Sequence, residues 1–330
     1  MKKIISDPAE LMEMTNAFRI SRIILTGYEL GIFSILQEAR TSSEIAGKSG
    51  TDPRATDRLL NALAAIGLVE KNKDKFSNTA FSSKFLVREN PGFLGGLGHM
   101  LNVWKTWSTL TESVRSGKSI AIENSIEDRG NEWREAFIAA MHARAPQQAK
   151  EVASLLDLSK TTRVLDVGGG SGAFSFEFIR RNNKIKAVVF DLPTIIPITQ
   201  GYIDRDGFSG SVTTMAGDYL KDGFGKGYDF IFLSAVIHIN SPDENRYLIR
   251  RCIAALDKGG QLVILDHIMN DDRTEPKAGA IFALNMLVGT EKGDTYTESE
   301  IGTWMRDEGL KEIRRADSIQ GTSLMIGIKG

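Results

Sequence analysis

The sequence predicts an α/β fold: a doubly wound, mainly parallel sheet with a terminal antiparallel hairpin, preceded by a smaller and mostly helical region. Three observations predict it. From Arg163 onward, apolar runs of strand length alternate with segments long enough for helical crossovers. Before that point the apolar residues recur mainly at helical spacing. At the far end, "LKEIRRADSI" and "TSLMIGIK" are separated by a turn at Gln320-Gly321, too short for any connection but an antiparallel one.

Taken in order, "NAFRISRIILTGYELGIFSIL" reads as helix. "TSSEIA" offers a capping box, with Thr41 as N-cap and Glu44 three residues on. "TDPRATDRLLNALAAIGLVE" starts a further helix at Asp52, with Pro53 at its first position. "LVEKNKDKFSNT" reads as two short strands around a charged turn. Helix, helix and hairpin in that order make a winged helix-turn-helix. More helix and most of the tryptophan, Trp104, Trp107 and Trp133, follow in the stretch from about residue 84 to residue 158. The strands of the sheet are then "RVLDVG", "KAVVFDL", "SVTTMAGD", "YDFIFLSAVIH" and "QLVILDHI", apolar enough for burial on both faces. The expected division is 1–98, 99–158 as a helical connector, and 159–330.

Composition narrows the function classes. A formal charge of -1 gives no global attraction to nucleic acid or an anionic membrane. The single cysteine, Cys252, cannot form an internal disulfide, which suits a reducing cytoplasm. Acids interrupt the start of the chain before an apolar segment develops, and no apolar run is long enough to span a bilayer, so a cytoplasmic protein without signal peptide is expected. A DNA-binding role for the winged helix has little support. Its would-be recognition helix offers Arg54 and Arg58 as cations beside Asp52 and Asp57.

The chemistry concentrates in a few stretches. "VLDVGGGSGA" strips the chain of side chains after the first strand, so that backbone can pass close to a ligand. Read as Gly168-x-Gly170-x-x-Ala173 it fits a dinucleotide fingerprint; read as Asp166-x-Gly168-x-Gly170-x-Gly172 it fits an S-adenosyl-L-methionine (SAM) loop. Asp191, closing the second strand, suits the ribose of either cofactor and so does not choose. "VIHINSPDEN" sets a capping box, Ser241 with Glu244 around Pro242, just past His238. That puts His238 at the carboxyl end of a central strand, the edge where open α/β sheets bind ligands.

"VLDVGGGSG", "FDLP", "AGDYL", "VIHINSPDE" and "GGQLVILD" together, in order and spacing, resemble the SAM-dependent small-molecule O-methyltransferases, including the caffeate-type and acetylserotonin enzymes and their bacterial branch. The resemblance runs from about residue 15 to the end. It implies a Rossmann-like SAM domain after an N-terminal winged helix that dimerises. It also implies SAM as cofactor, S-adenosyl-L-homocysteine as product and no metal. Gly168 and Gly170 would cradle the cofactor, Asp191 would take the ribose hydroxyls and Leu192 would lie against the adenosine. Asp218 would reach the adenine amine, Tyr219 would cover the ring, and Ser234 would stand where plant relatives often carry lysine. His238 would be the general base and Asp266 its partner acid. Thr295 falls where the family often has a second acid, a departure that argues against a two-acid clamp. Trp107, Met141, His142, Phe282, Asn285 and Met286 would line the acceptor pocket, while strand alternation would turn His267 away from Asp266.

A phenol with a pKa near 10 attacks poorly at neutral pH, so a base in hydrogen-bond reach is the expected device. The dinucleotide-dependent oxidoreductase remains an alternative, opposed by the terminal hairpin. Methylation at carbon or nitrogen within the same family is another.

Overall fold

The period-two alternation of the central strand organises the larger part of the molecule. In Tyr228–Ser234, Phe230 and Phe232 face one apolar layer while Ile231 and Leu233 face the other, all four wholly buried. The computed structural model describes residues 5–90, 92–120, 130–317 and 321–330. These divide into two compact units, Met1–Asn102 and Val103–Gly330.

The first unit contains α1 (Pro8–Asn16), α2 (Phe18–Glu29), α3 (Ile32–Ile35), β1 (Arg40–Thr41), α4 (Ser42–Ser49), α5 (Pro53–Ala65), β2 (Val69–Asn72), β3 (Lys75–Asn78) and α6 (Ala80–Phe85). The capping box at Thr41 and Glu44 and the Asp52 cap with Pro53 after it both form as expected. The hairpin of β2 and β3 takes β1 as a third antiparallel strand in the order β1-β3-β2. Ile32, Phe33, Ile45, Leu60, Leu63 and Phe76 form its core. The long apolar stretch after Asn16 is two helices rather than one, because Gly31 takes a left-handed conformation (φ 67°) between α2 and α3.

Helix α7 (Gly96–Trp107) crosses the boundary, and α8 (Leu110–Ser116) and α9 (Asn131–Leu155) lead to the sheet. There follow β4 (Arg163–Val167), α10 (Ala173–Arg181), β5 (Lys186–Asp191), α11 (Ile196–Arg205), β6 (Val212–Ala216), β7 (Tyr228–Ser234), α12 (Pro242–Ala255), β8 (Leu256–Asp266), α13 (Lys277–Gly289), α14 (Glu298–Asp307), β9 (Leu310–Asp317) and β10 (Ser323–Lys329). The sheet order is β6-β5-β4-β7-β8-β10-β9. Strands β6 to β8 run parallel, and β10 is antiparallel to both β8 and β9. The expected terminal hairpin is present, with its last strand inserted inside the sheet; Gln320, expected in its turn, lies outside the described residues. One core layer holds α12 and α14 against the sheet through Leu248, Ile249, Ile301 and Trp304. The other holds α9, α10 and α11 through Val152, Phe176, Phe178 and Ile203. Among the described residues no helix is long and apolar enough to cross a membrane.

The fourth strand ends earlier than its sequence predicts. "YDFIFLSAVIH" is extended only to Ser234; Ala235 is left-handed (φ 56°), and His238 sits in a single 3-10 turn, Ile237–Ile239. The last ladder bond, Ala235 N–H to Leu265 O at 3.0 Å, marks where the chain leaves the sheet.

Phe232 is wholly buried and meets Phe178 edge-on at 5.2 Å and Phe174 at 5.0 Å. Phe232→Ala is expected to cost about 3–5 kcal/mol through the lost burial and the cavity left behind, read as a lower urea midpoint.

Candidate active site

The five parallel strands end together, and their C-terminal edge gathers the glycine loop, the acids and the histidine. The loop after β4 is shaped by what a side chain would hit. A Cβ on Gly168, which has φ 68°, would lie 2.8 Å from Val236 in the turn after β7. A Cβ on Gly169 would lie 2.7 Å from the Asp166 carboxyl carbon. Hydrogen bonds then fix the loop: Gly168 N–H donates to Phe190 O (2.8 Å), Gly170 N–H to Asp191 Oδ2 (2.8 Å), and Thr199 Oγ1 to Gly170 O (2.6 Å).

Two acids crowd this loop. Asp166 is buried; its Oδ2 accepts from Ser175 Oγ at 2.8 Å, while Oδ1 is buried with no hydrogen-bond partner. Burial, with the Asp191 charge added, pushes its carboxyl up to about 7. Asp191 is pushed up to about 6 by burial, despite the N–H groups of Gly170 and Leu192 that favour its ionised form. The edge therefore holds acceptor oxygens beside a cradle free of side chains, a donor set suited to a cationic ligand that carries hydroxyls.

Beyond β6, burial disfavours the Asp218 carboxylate, yet Lys221 at 2.8 Å and the Leu220 N–H hold it below its ordinary value. Tyr219, largely buried, donates its hydroxyl to Asn240 Oδ1 at 2.9 Å. Ser234 is half-buried at the end of β7. Leu192, half-buried, gives its N–H to Asp191 Oδ1.

His238 and Asp266 meet as expected. The imidazole Nδ1 lies 2.8 Å and 3.0 Å from the two carboxylate oxygens, and both residues are buried. Burial works against the ionised form of Asp266, but the His238 ring and the His267 N–H hold its carboxyl below the usual range. Since a carboxylate only accepts, His238 Nδ1 carries the proton and Nε2 is left as an acceptor. Phe282 packs edge-on to His238 at 4.9 Å. It also meets His267 at 4.3 Å, so His267 is not turned away as alternation predicts. That rule fails because His267 lies one residue past the end of β8. Its Nδ1 reaches Gly321 O at 3.1 Å.

Of the other acceptor-pocket candidates, Trp107 Nε1 donates to Asn285 Oδ1 at 2.8 Å, and Met286 is buried on the same helix, α13, as Phe282. Met141 is half-buried on α9. His142 does not join this group. Its ring meets Tyr202 tilted at 4.2 Å, and its two nitrogens meet Ser171 Oγ (2.9 Å) and the Arg205 guanidinium (3.1 Å). Because a guanidinium only donates, Nε2 accepts and Nδ1–H donates to Ser171, fastening α9 to the glycine loop. Thr295 is buried, and the Thr297–Glu300 capping box forms, starting α14. Sequence reasoning missed Thr199 and Asn240. Both act through contacts with distant segments, and only the position of Asn240 two residues after His238 could have flagged it.

A family model described as an O-methyltransferase domain matches residues 107–311, and an O-methyltransferase dimerisation domain matches residues 12–88. The 3-hydroxy-5-methyl-1-naphthoate 3-O-methyltransferase of Streptomyces sahachiroi is 30% identical over 98% of this chain and 95% of its own. The tetracenomycin polyketide synthesis 8-O-methyl transferase of Streptomyces glaucescens is 27% identical over 98% and 97%. The solved structure of an O-methyltransferase family protein from Burkholderia thailandensis matches with a TM-score of 0.87 at 28% identity, covering 99% of each chain.

Asp166 and Asp191 both sit above the value of an unfolded aspartate, about 4. The stability they contribute is complete below that pH and is lost as pH rises through about 6 and about 7. Asp166→Asn should therefore gain melting temperature relative to wild type as pH is raised from about 5 to about 8. Thermal denaturation of the two ligand-free proteins across that range checks the sign.

Proposed function

The chain belongs to the O-methyltransferase family, and on that premise we propose that it methylates a hydroxyl of a small aromatic molecule, with His238 as general base. The family match sets aside the dinucleotide reading of the glycine loop: this is a SAM-dependent O-methyltransferase. The observation that carries the mechanism is the buried His238–Asp266 pair on the same sheet edge as the loop.

The residues present fit SAM. The side-chain-free path at Gly168 and Gly170 leaves room for it, Asp191 offers oxygens to the ribose hydroxyls, and the unpartnered Asp166 Oδ1 favours the positive charge it carries. Leu192 and Tyr219 would flank the adenosine, with Asp218 at the adenine amine and Ser234 beside them. When bound, SAM supplies a methyl group on a sulfonium, ready for displacement. His238 Nε2 would take the proton of the acceptor hydroxyl as the oxygen–carbon bond forms and the carbon–sulfur bond breaks, giving the methyl ether, S-adenosyl-L-homocysteine and an imidazolium. Asp266 holds the ring in the tautomer that keeps Nε2 free, and its charge stabilises the imidazolium as it forms. Phe282 fixes the ring plane from the side, and Trp107, Met141, Asn285 and Met286 shape the acceptor pocket. His142 acts on the cofactor loop through Ser171 instead. Thr295 offers no second acid, so the acid that orients the base is Asp266.

On this reading, residues 1–98 form a winged-helix dimerisation region, 99–158 a helical connector that contributes to the acceptor pocket, and 159–330 the SAM-binding domain. Leu11, Met12, Met14, Phe18 and Ile20 on α1 and α2 are exposed, an apolar surface of the kind a second copy covers.

His238→Ala should leave SAM affinity nearly intact and lower turnover of a neutral phenol by roughly 10²–10⁴-fold. Raising the pH toward about 10 should restore part of the loss, because solvent then ionises the acceptor. Turnover of wild type and variant at saturating SAM is the measurement; equal rates with methyl transfer rate-limiting would remove His238 from the mechanism. For assembly, light scattering should give twice the mass of one chain, and Phe18→Glu with Ile20→Glu should shift it toward one.

A further inference from the structure

Three backbone carbonyls in the turn that carries His238 each receive a donor from another part of the chain. Ile237 O accepts from Asn245 Nδ2 at 2.8 Å, His238 O from the Asp294 N–H at 3.1 Å, and Asn240 O from the Tyr296 hydroxyl. The Asn240 side chain extends this network in two directions. Its Nδ2 donates to Asn245 Oδ1 at 3.2 Å, and its Oδ1 accepts from the Tyr219 hydroxyl at 2.9 Å. The polarity is fixed. Asn245 must turn its amide nitrogen to the Ile237 carbonyl, which presents its oxygen to Asn240 Nδ2 and leaves Asn240 Oδ1 for Tyr219. Asn240 and Asn245 are buried, so water does not readily replace a lost partner. Burial also pushes the Tyr219 hydroxyl up, which keeps it a donor.

Tyr219 stands in the loop just after β6, two strands away from β4 on the nucleoside side, whereas His238 stands on the acceptor side after β7. Its hydroxyl bond to Asn240 ties these two sides together within the site. We propose that Asn240 is a positioning residue that couples the ring of Tyr219 to the turn holding His238, so that occupancy of the nucleoside side steadies the base. This rests on the reading of His238 as base and Tyr219 as nucleoside shelf. Neither Asn240 nor Tyr219 touches the reacting atoms; each acts through the turn.

The test follows the proton on His238 Nδ1, shared with Asp266, by NMR in the full-length protein. Its exchange with water is compared in wild type, Tyr219→Phe and Asn240→Ala, with and without S-adenosyl-L-homocysteine. Exchange is expected to quicken roughly threefold to tenfold in either variant, the effect of one lost hydrogen bond. S-adenosyl-L-homocysteine should slow it in wild type and leave Tyr219→Phe unchanged. The conservative Tyr219→Phe keeps the ring, so it answers the question even where Asn240→Ala folds poorly. Backbone amide exchange at Phe232 in the sheet core should match in all three. Equal His238 exchange in wild type and Tyr219→Phe, or a parallel rise at Phe232, would overturn the coupling. Activity of His238→Ala tests the base assignment separately, since an active variant removes the base without altering the exchange result.

Discussion

The in-register parallel ladder of β4, β7 and β8 is the constraint on which the site depends. Val167 pairs with Leu233, and Ser234 pairs with Leu265, so three strands distant in sequence end at one level. The loops that follow must then share the same small volume. Gly168 lies so near Val236 that a Cβ would not fit between them, and Asp266 is brought to His238 across 28 residues of chain. A slip of one residue in any of these strands would turn its core residues to the opposite face and also separate the pair. The apolar layers on both sides of the sheet, through Phe230 and Phe232 on one and Ile231 and Leu233 on the other, are what forbid that slip.

What could be read from the sequence was whatever a short segment decides for itself. The boxes at Thr41 and Ser241 each need three residues of spacing and nothing else, and both form. The glycine loop is similar, since positive φ at Gly168, Gly170 and Gly172 favours glycine locally. The buried strands announced themselves as apolar runs, and the crossover lengths made the sheet parallel. His238 and Asp266 were legible as a pair through the resemblance, because no periodicity links residues so far apart. The remainder depends on contacts between distant segments. Nothing near Ala235 signals that the strand breaks there, since alanine rarely takes a left-handed conformation. His142 was assigned to the acceptor side by position, while its partners, Ser171 and Arg205, come from the other side of the site. The Asn240 network draws on four segments and has no local pattern.

The acids at the loop show a second principle. Asp166 and Asp191 are both raised by burial, so the ligand-free protein holds two carboxyl groups in an unfavourable state. A neutral amide would suit the fold better at Asp166, but not at Asp191, where both oxygens accept backbone N–H groups. A positive charge bound from outside would ease the burial of Asp166, so stability is given up there in advance of binding. His238 and Asp266 are the reverse case. There the histidine answers the buried acid from within the chain, and the pair is formed before any ligand arrives.

The place of β10 has a consequence for how the protein is made. This strand, Ser323–Lys329, lies between β8 and β9, although it is synthesised after both. Until it pairs, β8 presents a long, apolar, unpaired flank, and β9 has no neighbour in the sheet. The sheet therefore cannot close in chain order; a gap of one strand's width stays open until residues 323–329 insert. For that interval the exposed flank of β8 is a template for pairing with another unfinished chain. Yield in the cell would then be governed by how quickly residues 323–329 reach the gap, a kinetic matter separate from the stability of the finished protein.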